Sequence, residues 1–269
     1  MTKCIITAFS YRHDEKFRFY PSHLITDIRR MISFCLYKTG ILPENITLIT
    51  DCSCDKEQAK RYNLEYQTKA IKHLNRIKKD AEIDLKMKTG KWLKQYGLDM
   101  IYELTDRNIL EYCYLFVNYI FVSGKEDYIE KIKMYSENTS EILLYFSCHG
   151  IKSQNKTYLA IPCKDCIASE LISSTQFRQI LSSICEDKNA IVFFDACYSE
   201  KFCSKENNIL FIGSTHKNET CGFYSLHDKI VGSLFTHYLI RVLREVKRDE
   251  KCSLEILNKI RDDILTYRR

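Results

Sequence analysis

Two stretches of the chain set its architecture: EILLYFSCHG (residues 141–150) and AIVFFDACYS (residues 190–199). Each begins with a run of apolar, β-branched and aromatic residues, which is typical of a strand buried on both faces. Each run then ends in polar or reactive residues, with His149 after the first and Cys197 after the second. Functional sites of parallel α/β proteins form where strands end, so these two residues are candidates for one site.

The rest of the chain continues the alternation of strands and helices. Further strand-like runs cover residues 3–9, 45–50, 157–161 and 208–214. Helical periodicity of apolar residues covers residues 22–38, 175–184 and 232–247. This order predicts an α/β fold, a three-layer α/β/α sandwich with a mainly parallel six-stranded sheet.

Residues 55–135 interrupt this alternation, because they contain no strand-like run and are mostly helical in composition. Apolar spacing predicts one helix over residues 69–88, and a very apolar run predicts another over residues 106–122. We therefore predict a single domain over residues 1–269, with residues 55–135 as a helical, lysine-rich insertion within it.

The basic surplus of the chain lies in this insertion. The net charge is +6, and residues 55–96 alone contain 12 Lys or Arg against 6 Asp or Glu. With its neighbouring aromatic residues, the segment is one candidate for binding nucleic acid or an acidic partner. A solvated helix face is the commoner meaning of such charge, and we do not expect nucleic-acid binding.

Sequence patterns also bear on compartment and metal binding. The N-terminus lacks the apolar core of a signal peptide, and the longest apolar run, residues 112–122, is shorter than the roughly 20 residues of a membrane span. We therefore expect a cytoplasmic protein, not bound to membranes, in which most of the 13 cysteines are reduced. Cys163 and Cys166 have the spacing of zinc ligands, but no second pair follows at a suitable distance, so we expect no metal site.

His149 and Cys197 have the chemistry of a nucleophilic pair. A thiol becomes a strong nucleophile as the thiolate, and a nearby imidazole can accept and return its proton. In a chain with 13 cysteines and 7 histidines, a chance pairing of two structural residues is the alternative. The spacing favours the first interpretation, because caspases place the catalytic Cys about 50 residues after the His, and here the separation is 48 residues.

With these motifs the chain resembles the caspase-like cysteine proteases, and among them the metacaspases. YFSCHG (residues 145–150) is similar to the family's Tyr-x-Ser-Gly-His-Gly, and DACYSE (residues 195–200) to Asp-x-Cys-His-Ser-Gly. Four further blocks match in order: KCIITAFSY (3–11), LITDIRRM (24–31), LPENITLITD (42–51) and GSLFTHYL (232–239). The legumain-like and gingipain-like proteases share the strand ends and are an alternative within the same reaction class, but the blocks around Asp27 (24–31) and at Gly232 (232–239) favour the metacaspases.

The resemblance implies catalytic roles for three residues. Cys197 would be the nucleophile and His149 its proton-transfer partner, in a Cys–His dyad without a third side chain. The backbone amides of Gly150 and Cys197 would form the oxyanion hole. The domain would then be a catalytic domain that acts as a monomer on protein or peptide substrates.

The resemblance also implies a preference for substrates with Arg or Lys before the scissile bond. In metacaspases an Asp of the N-terminal motif, the Ser before the catalytic His and the Asp before the catalytic Cys line the S1 pocket. The matching residues are Asp27, Ser147 and Asp195. Two buried carboxylates favour a cation between them. The alternative is structural, with Asp27 on a solvated helix turn and Asp195 as a cap.

Departures from the family's motifs motivate two further expectations. Residues 151–157, IKSQNKT, contain no carboxylate where calcium-dependent relatives have an acidic stretch, so we expect no cofactor and no calcium requirement. Cys148, Tyr198 and Glu200 replace a Gly, a His and a Gly of the motifs. These changes motivate the main alternative, a weak or inactive caspase-fold homologue that acts as an interaction module.

Overall fold

The computed structural model describes residues 2–12, 14, 16–17, 21–64, 108–163, 168–221, 223–226 and 229–245. The main sheet is built from strands β1 (Thr2–Ala8), β2 (Ile46–Thr50), β3 (Asn118–Phe121), β4 (Glu141–Ser147), β8 (Asn189–Asp195) and β9 (Ile209–Gly213). A smaller sheet contains β5 (Gly150–Ser153), β6 (Lys156–Ile161) and β7 (Glu170–Ser173). A hairpin follows, formed by β10 (Phe223–Leu226) and β11 (Lys229–Ser233).

The six strands of the main sheet lie in the order β3-β2-β1-β4-β8-β9, and all five pairings are parallel. The described helices are α1 (Pro21–Phe34), α2 (Ile109–Phe116), α3 (Lys125–Ser136), α4 (Ser174–Cys185) and α5 (Leu234–Glu245), and residues 56–64 are also helical. The predicted α/β fold with a parallel six-stranded sheet is confirmed.

Alternation along the strands divides the core into two layers. On one face of the sheet, Tyr145 and Phe193 pack with α1, α2 and α5. On the other face, Phe146 and Phe194 pack with α3 and α4. Successive side chains of a strand point to opposite faces, so both layers are filled by the same strands. The buried apolar runs in the sequence reflect this double covering.

One strand of the main sheet differs from the prediction. Residues 157–161 do form a strand, but this strand, β6, lies in the small antiparallel sheet. The sixth strand of the main sheet is β3, within the range predicted as a helix over residues 106–122. That prediction is wrong beyond Phe116, because α2 ends there and the strand begins two residues later in the same apolar run.

The insertion is only partly within the described residues. The helix predicted over residues 69–88 lies outside them. The expectation that residues 55–135 hold no strand is wrong, since β3 pairs with β2, and α3 packs on β1 and β2. A helical insertion stays a prediction for the part of the range before α2. None of the described helices has both the length and the apolar character to cross a bilayer.

Candidate active site

The carboxyl ends of β4 and β8 lie side by side. Ser147 and Asp195, the last residues of the two strands, are register partners, and the Cys148 N–H donates to the Asp195 carbonyl at 3.2 Å. His149 and Cys197 each follow two residues after these partners. The pairing therefore brings the two predicted chemical residues to one edge of the sheet, because parallel strands in register end at the same level.

Gly150 packs directly on the backbone of Cys197. A Cβ at position 150 would overlap the Cys197 carbonyl oxygen and lie 2.8 Å from its carbonyl carbon. No side chain fits this approach, which explains the glycine after His149. The two residues predicted to form an oxyanion hole are thus brought together by a backbone contact.

The His149 ring is oriented by the backbone. Its Nε2 lies 2.6 Å from the Phe17 carbonyl oxygen, so Nε2 carries the proton and Nδ1 carries the lone pair. The ring centroids of Tyr11 and His149 are 4.8 Å apart, and the Tyr11 hydroxyl accepts a hydrogen bond from the backbone N–H of His149. Burial lowers the pKa of His149 to about 4, against the opposing effects of Phe17 and Asp14. The imidazole is therefore neutral near pH 7 and able to accept a proton.

Cys197 has a second cysteine next to it. The Sγ atoms of Cys197 and Cys221 are 3.5 Å apart, and the Cys221 N–H donates to the Cys197 Sγ at 3.3 Å. The bond from the Cys221 thiol, together with this N–H, lowers the pKa of Cys197 to about 7 against the effect of burial. By contrast, burial raises the pKa of Cys148, which is almost fully buried, well above its ordinary value. Cys197 is thus the thiol suited to act as a nucleophile.

The thiolate can be measured by alkylation. The rate of iodoacetamide labelling at Cys197 should rise with pH and level off above about pH 7, because the thiolate is the reactive form. A Cys221→Ala variant should move this midpoint upward by roughly one unit, since it loses the thiol donor. The label is read by mass spectrometry on the tryptic peptide of residues 189–201, which contains no other cysteine.

A Cys203→Ala variant provides the control for this experiment, because Cys203 is partly exposed and its thiol donates to the Ser204 carbonyl instead. It should leave the midpoint at Cys197 unchanged. A midpoint that does not move in Cys221→Ala would show that Cys221 has no influence on the thiolate.

Asp27 lies in the buried stripe of α1 and is fully buried. It accepts hydrogen bonds from the Ser233 N–H at 2.8 Å and from the Arg30 guanidinium at 3.3 Å. Gly232 lies against its carboxylate with φ +72°, where a Cβ would be 2.8 Å from Cγ. Burial first, and then the charge of Asp195, raise the pKa of Asp27 well above its ordinary value.

Asp195 lies on the same face of the sheet, only 3% exposed. Its carboxylate accepts from the Thr236 hydroxyl at 2.7 Å, and that hydroxyl also lies 2.7 Å from the Tyr145 hydroxyl. Burial raises the pKa of Asp195 to about 6, although hydroxyl donors, among them Ser233 and Thr236, lower it in part. The two acids are therefore close enough to disfavour each other's charge.

Ser147 lies next to these acids. It is the register partner of Asp195 and 1% exposed, and its hydroxyl has no hydrogen-bond partner among the described residues. An unpaired buried hydroxyl costs about 1–3 kcal/mol, so such an atom indicates a place where a ligand or water binds. All three residues predicted for S1 are thus brought to one buried region. The structural alternative for Asp27, a solvated helix turn, does not match its burial.

Sequence reasoning missed several residues that shape the site. The Phe17 carbonyl has no side-chain signature, and Cys221 was one of many cysteines. Thr236 had a signal, because it lies in the block GSLFTHYL, as does the Gly232 that approaches Asp27. The departures at Tyr198 and Glu200 also have a structural role: the Tyr198 N–H donates to the Glu219 carbonyl and Glu200 accepts the Lys217 N–H, both at 2.9 Å.

A metal centre is not apparent in the described part of the chain, where no three His, Cys, Asp or Glu side chains are grouped to hold an ion. Cys166, the second cysteine of the pair with zinc-ligand spacing, lies outside the described residues. The calcium and zinc expectations therefore stay predictions.

The family model for the caspase domain matches residues 123–268, a range that includes His149, Gly150, Asp195 and Cys197. No curated protein matches the chain. The crystal structure of the Drosophila initiator caspase Dronc is similar at 14% identity and a TM-score of 0.38, over 55% of this chain and 58% of that chain. The arguments below rest on the family match and on the geometry.

Proposed function

Because the chain belongs to the caspase-domain family of peptidases, we propose that it is a cysteine endopeptidase of metacaspase type that cleaves after Arg or Lys. The observation that supports this most is the meeting of two features at one sheet edge. A lowered-pKa thiol, Cys197, lies against Gly150, and two buried acids lie nearby, Asp195 at the end of β8 and Asp27 on α1.

The proposed reaction begins with attack of Cys197 Sγ on the scissile carbonyl carbon. The proton of the thiol passes to His149 at Nδ1, the ring nitrogen that carries the lone pair because Nε2 is bonded to the Phe17 carbonyl. His149 then gives this proton to the leaving amine, and the acyl-enzyme forms. Water, activated by His149, hydrolyses the thioester and restores the thiol.

The oxyanion of the tetrahedral intermediate would bind to the backbone amides of Gly150 and Cys197. The contact between these two residues supports the assignment, since it holds both peptide units at the nucleophile without side-chain rearrangement. Fixed amide dipoles stabilise developing charge at no cost in reorganisation.

Specificity for a basic residue follows from the acids. Both Asp27 and Asp195 are disfavoured as buried carboxylates, as their raised pKa values show. A guanidinium or ammonium group entering beside Ser147 would donate a hydrogen bond to the Ser147 hydroxyl. Its charge would stabilise the ionised carboxylates of Asp27 and Asp195. An acidic substrate residue would add a third negative charge, so we propose that Asp is rejected at this position.

The leaving part of the substrate would lie on the His149 side of the site. A cavity of about 430 Å³ opens there, lined among others by Phe17, Ile151, Leu171 and two lysines, Lys16 and Lys152. Phe17 bonds His149, and Ile151 follows Gly150, so this cavity adjoins the group that protonates the leaving amine. Its walls carry Asp14 as well as the two lysines and are otherwise largely apolar, which fits an apolar residue after the cut.

We also propose that cleavage needs no calcium, because residues 151–157 carry no carboxylate. The test is a fluorogenic peptide series with Arg, Lys, Gln or Asp before the reporter, assayed with calcium and with EDTA. We expect turnover of the Arg and Lys peptides only, equal in both buffers. Preferred cleavage after Asp, or activity lost in EDTA, would contradict the proposal. The monomeric state and the lack of nucleic-acid binding stay predictions.

A further inference from the structure

Cys221 lies beside Cys197, and in the proposed hydrolysis it forms no bond with the substrate and only lowers the pKa of the nucleophile. The two Sγ atoms are 3.5 Å apart, and a disulfide bond is about 2.05 Å long, so a small movement of either side chain would join them. Both residues are only partly buried, so small oxidants can reach them.

We propose that Cys197 and Cys221 form a reversible disulfide under oxidation by peroxides, with Cys221 as the resolving thiol. The Cys197 thiolate attacks one oxygen of hydrogen peroxide, which gives Cys197 sulfenic acid and, with a proton, one water. The Cys221 thiol then attacks the sulfenic sulfur, and the disulfide forms with loss of a second water. A dithiol reductant returns both thiols.

The segment that carries Cys221 is anchored to the nucleophile segment. The Tyr198 N–H donates to Glu219, the Glu200 N–H donates to Thr215 at 3.2 Å, and the Glu200 carboxylate accepts the Lys217 N–H. These two backbone bonds and the Glu200 carboxylate hold the segment of Cys221 next to Cys197. Their effect is to place a second thiol within reach of the first.

A second close pair of thiols shows that proximity alone is not sufficient for oxidation to a disulfide. The Sγ atoms of Cys4 and Cys35 are 3.3 Å apart, but both side chains are fully buried in the core. Burial raises the pKa of Cys4 well above its ordinary value, which leaves the thiol protonated and unreactive. Of these two pairs, the one at Cys197 combines proximity, access and a thiolate.

The test treats the folded full chain with equimolar hydrogen peroxide, blocks remaining thiols with iodoacetamide and digests the protein with trypsin. Wild type should lose about 2 Da and yield a linked peptide that joins residues 189–201 to residues 218–229, each with a single cysteine. The linked peptide should disappear with dithiothreitol. A link between residues 4–12 and 31–38, which carry Cys4 and Cys35, should be absent.

Two variants complete the design. Cys203→Ser removes another partly exposed thiol near the site and should give the same linked peptide as wild type. Cys221→Ser should give none, and with two equivalents of peroxide its Cys197 should instead gain about 32 Da as sulfinic acid, which dithiothreitol does not reverse. Absence of the 197–221 link in wild type, or equal linkage of the buried pair, would overturn the proposal. This readout needs no substrate, so it stands or fails independently of the proposed protease activity.

Discussion

A Cys197→Ala variant should lose activity on Arg and Lys peptides, with kcat/KM lower by about 10⁴-fold or more, because no other group can form the acyl-enzyme. His149→Ala should lose a similar factor, since the thiol then has no proton acceptor and the leaving amine no donor. The double variant should be no worse than either single variant, because two groups that act as one unit give non-additive losses. Initial rates on a fluorogenic Arg peptide measure all three.

The matched control is Cys148→Ala. Cys148 directly precedes His149, but it is buried and its pKa is raised, so its thiol does not ionise. This variant should keep most of the activity. If Cys197→Ala and wild type turned over the peptide equally, Cys197 would have no part in the reaction, and the alternative of an inactive caspase-fold interaction module would be favoured.

Much of the fold was predictable because an abrupt change from apolar to polar or reactive residues marks the end of each buried strand. Continuous apolar runs followed by His149 or Cys197 indicated buried parallel strands and their carboxyl edge, and the structure has both in the main sheet. The error at β3 has a physical reason. Its residues, NYIF, continue an apolar helix without Gly or Pro between them, so periodicity gives no boundary there.

The site was predictable where side chains carry the chemistry and not where the backbone does. Asp27 was assigned from the resemblance of the block LITDIRRM (24–31) to the metacaspase motif, and it is fully buried. The carbonyl of Phe17 orients His149, but any residue could supply a carbonyl. Cys221 comes to Cys197 through loop hydrogen bonds whose partners are 15 or more residues apart in sequence, a contact that no local pattern encodes.

The second large effect is expected when a carboxylate of the proposed S1 pocket is neutralised. Asp195→Asn should lower kcat/KM for an Arg peptide by about 100-fold, since a buried hydrogen-bonded charge pair is lost. The same peptide with citrulline, a neutral isostere of Arg, should be cut by wild type and variant at similar rates. The ratio of Arg to citrulline cleavage therefore isolates the charge, and it should fall towards one in the variant. Asp27→Asn should act in the same direction.

The control for this experiment is Asp51→Asn. Asp51 is another buried acid with a raised pKa, but it accepts hydrogen bonds from Ser10 rather than lying beside Asp195. This variant should keep the wild-type ratio of Arg to citrulline cleavage. An unchanged ratio in Asp195→Asn would show that the basic preference, if present, has another source.

The raised pKa of Asp195 has two consequences. The preference for Arg should depend on pH, and replacing the carboxylate should lower activity without lowering the stability of the fold. Below about pH 6 the carboxyl is protonated, so the preference for Arg over citrulline should weaken from pH 7 to pH 5. Because the folded pKa lies above the unfolded value, ionisation destabilises the fold as pH rises, by about 3 kcal/mol at pH 7. Asp195→Asn removes this penalty and should unfold in urea at the same or a higher midpoint than wild type. A variant that is more stable and less active would identify Asp195 as a residue kept for substrate binding, whereas a lower midpoint would attribute the loss of cleavage to damage of the fold.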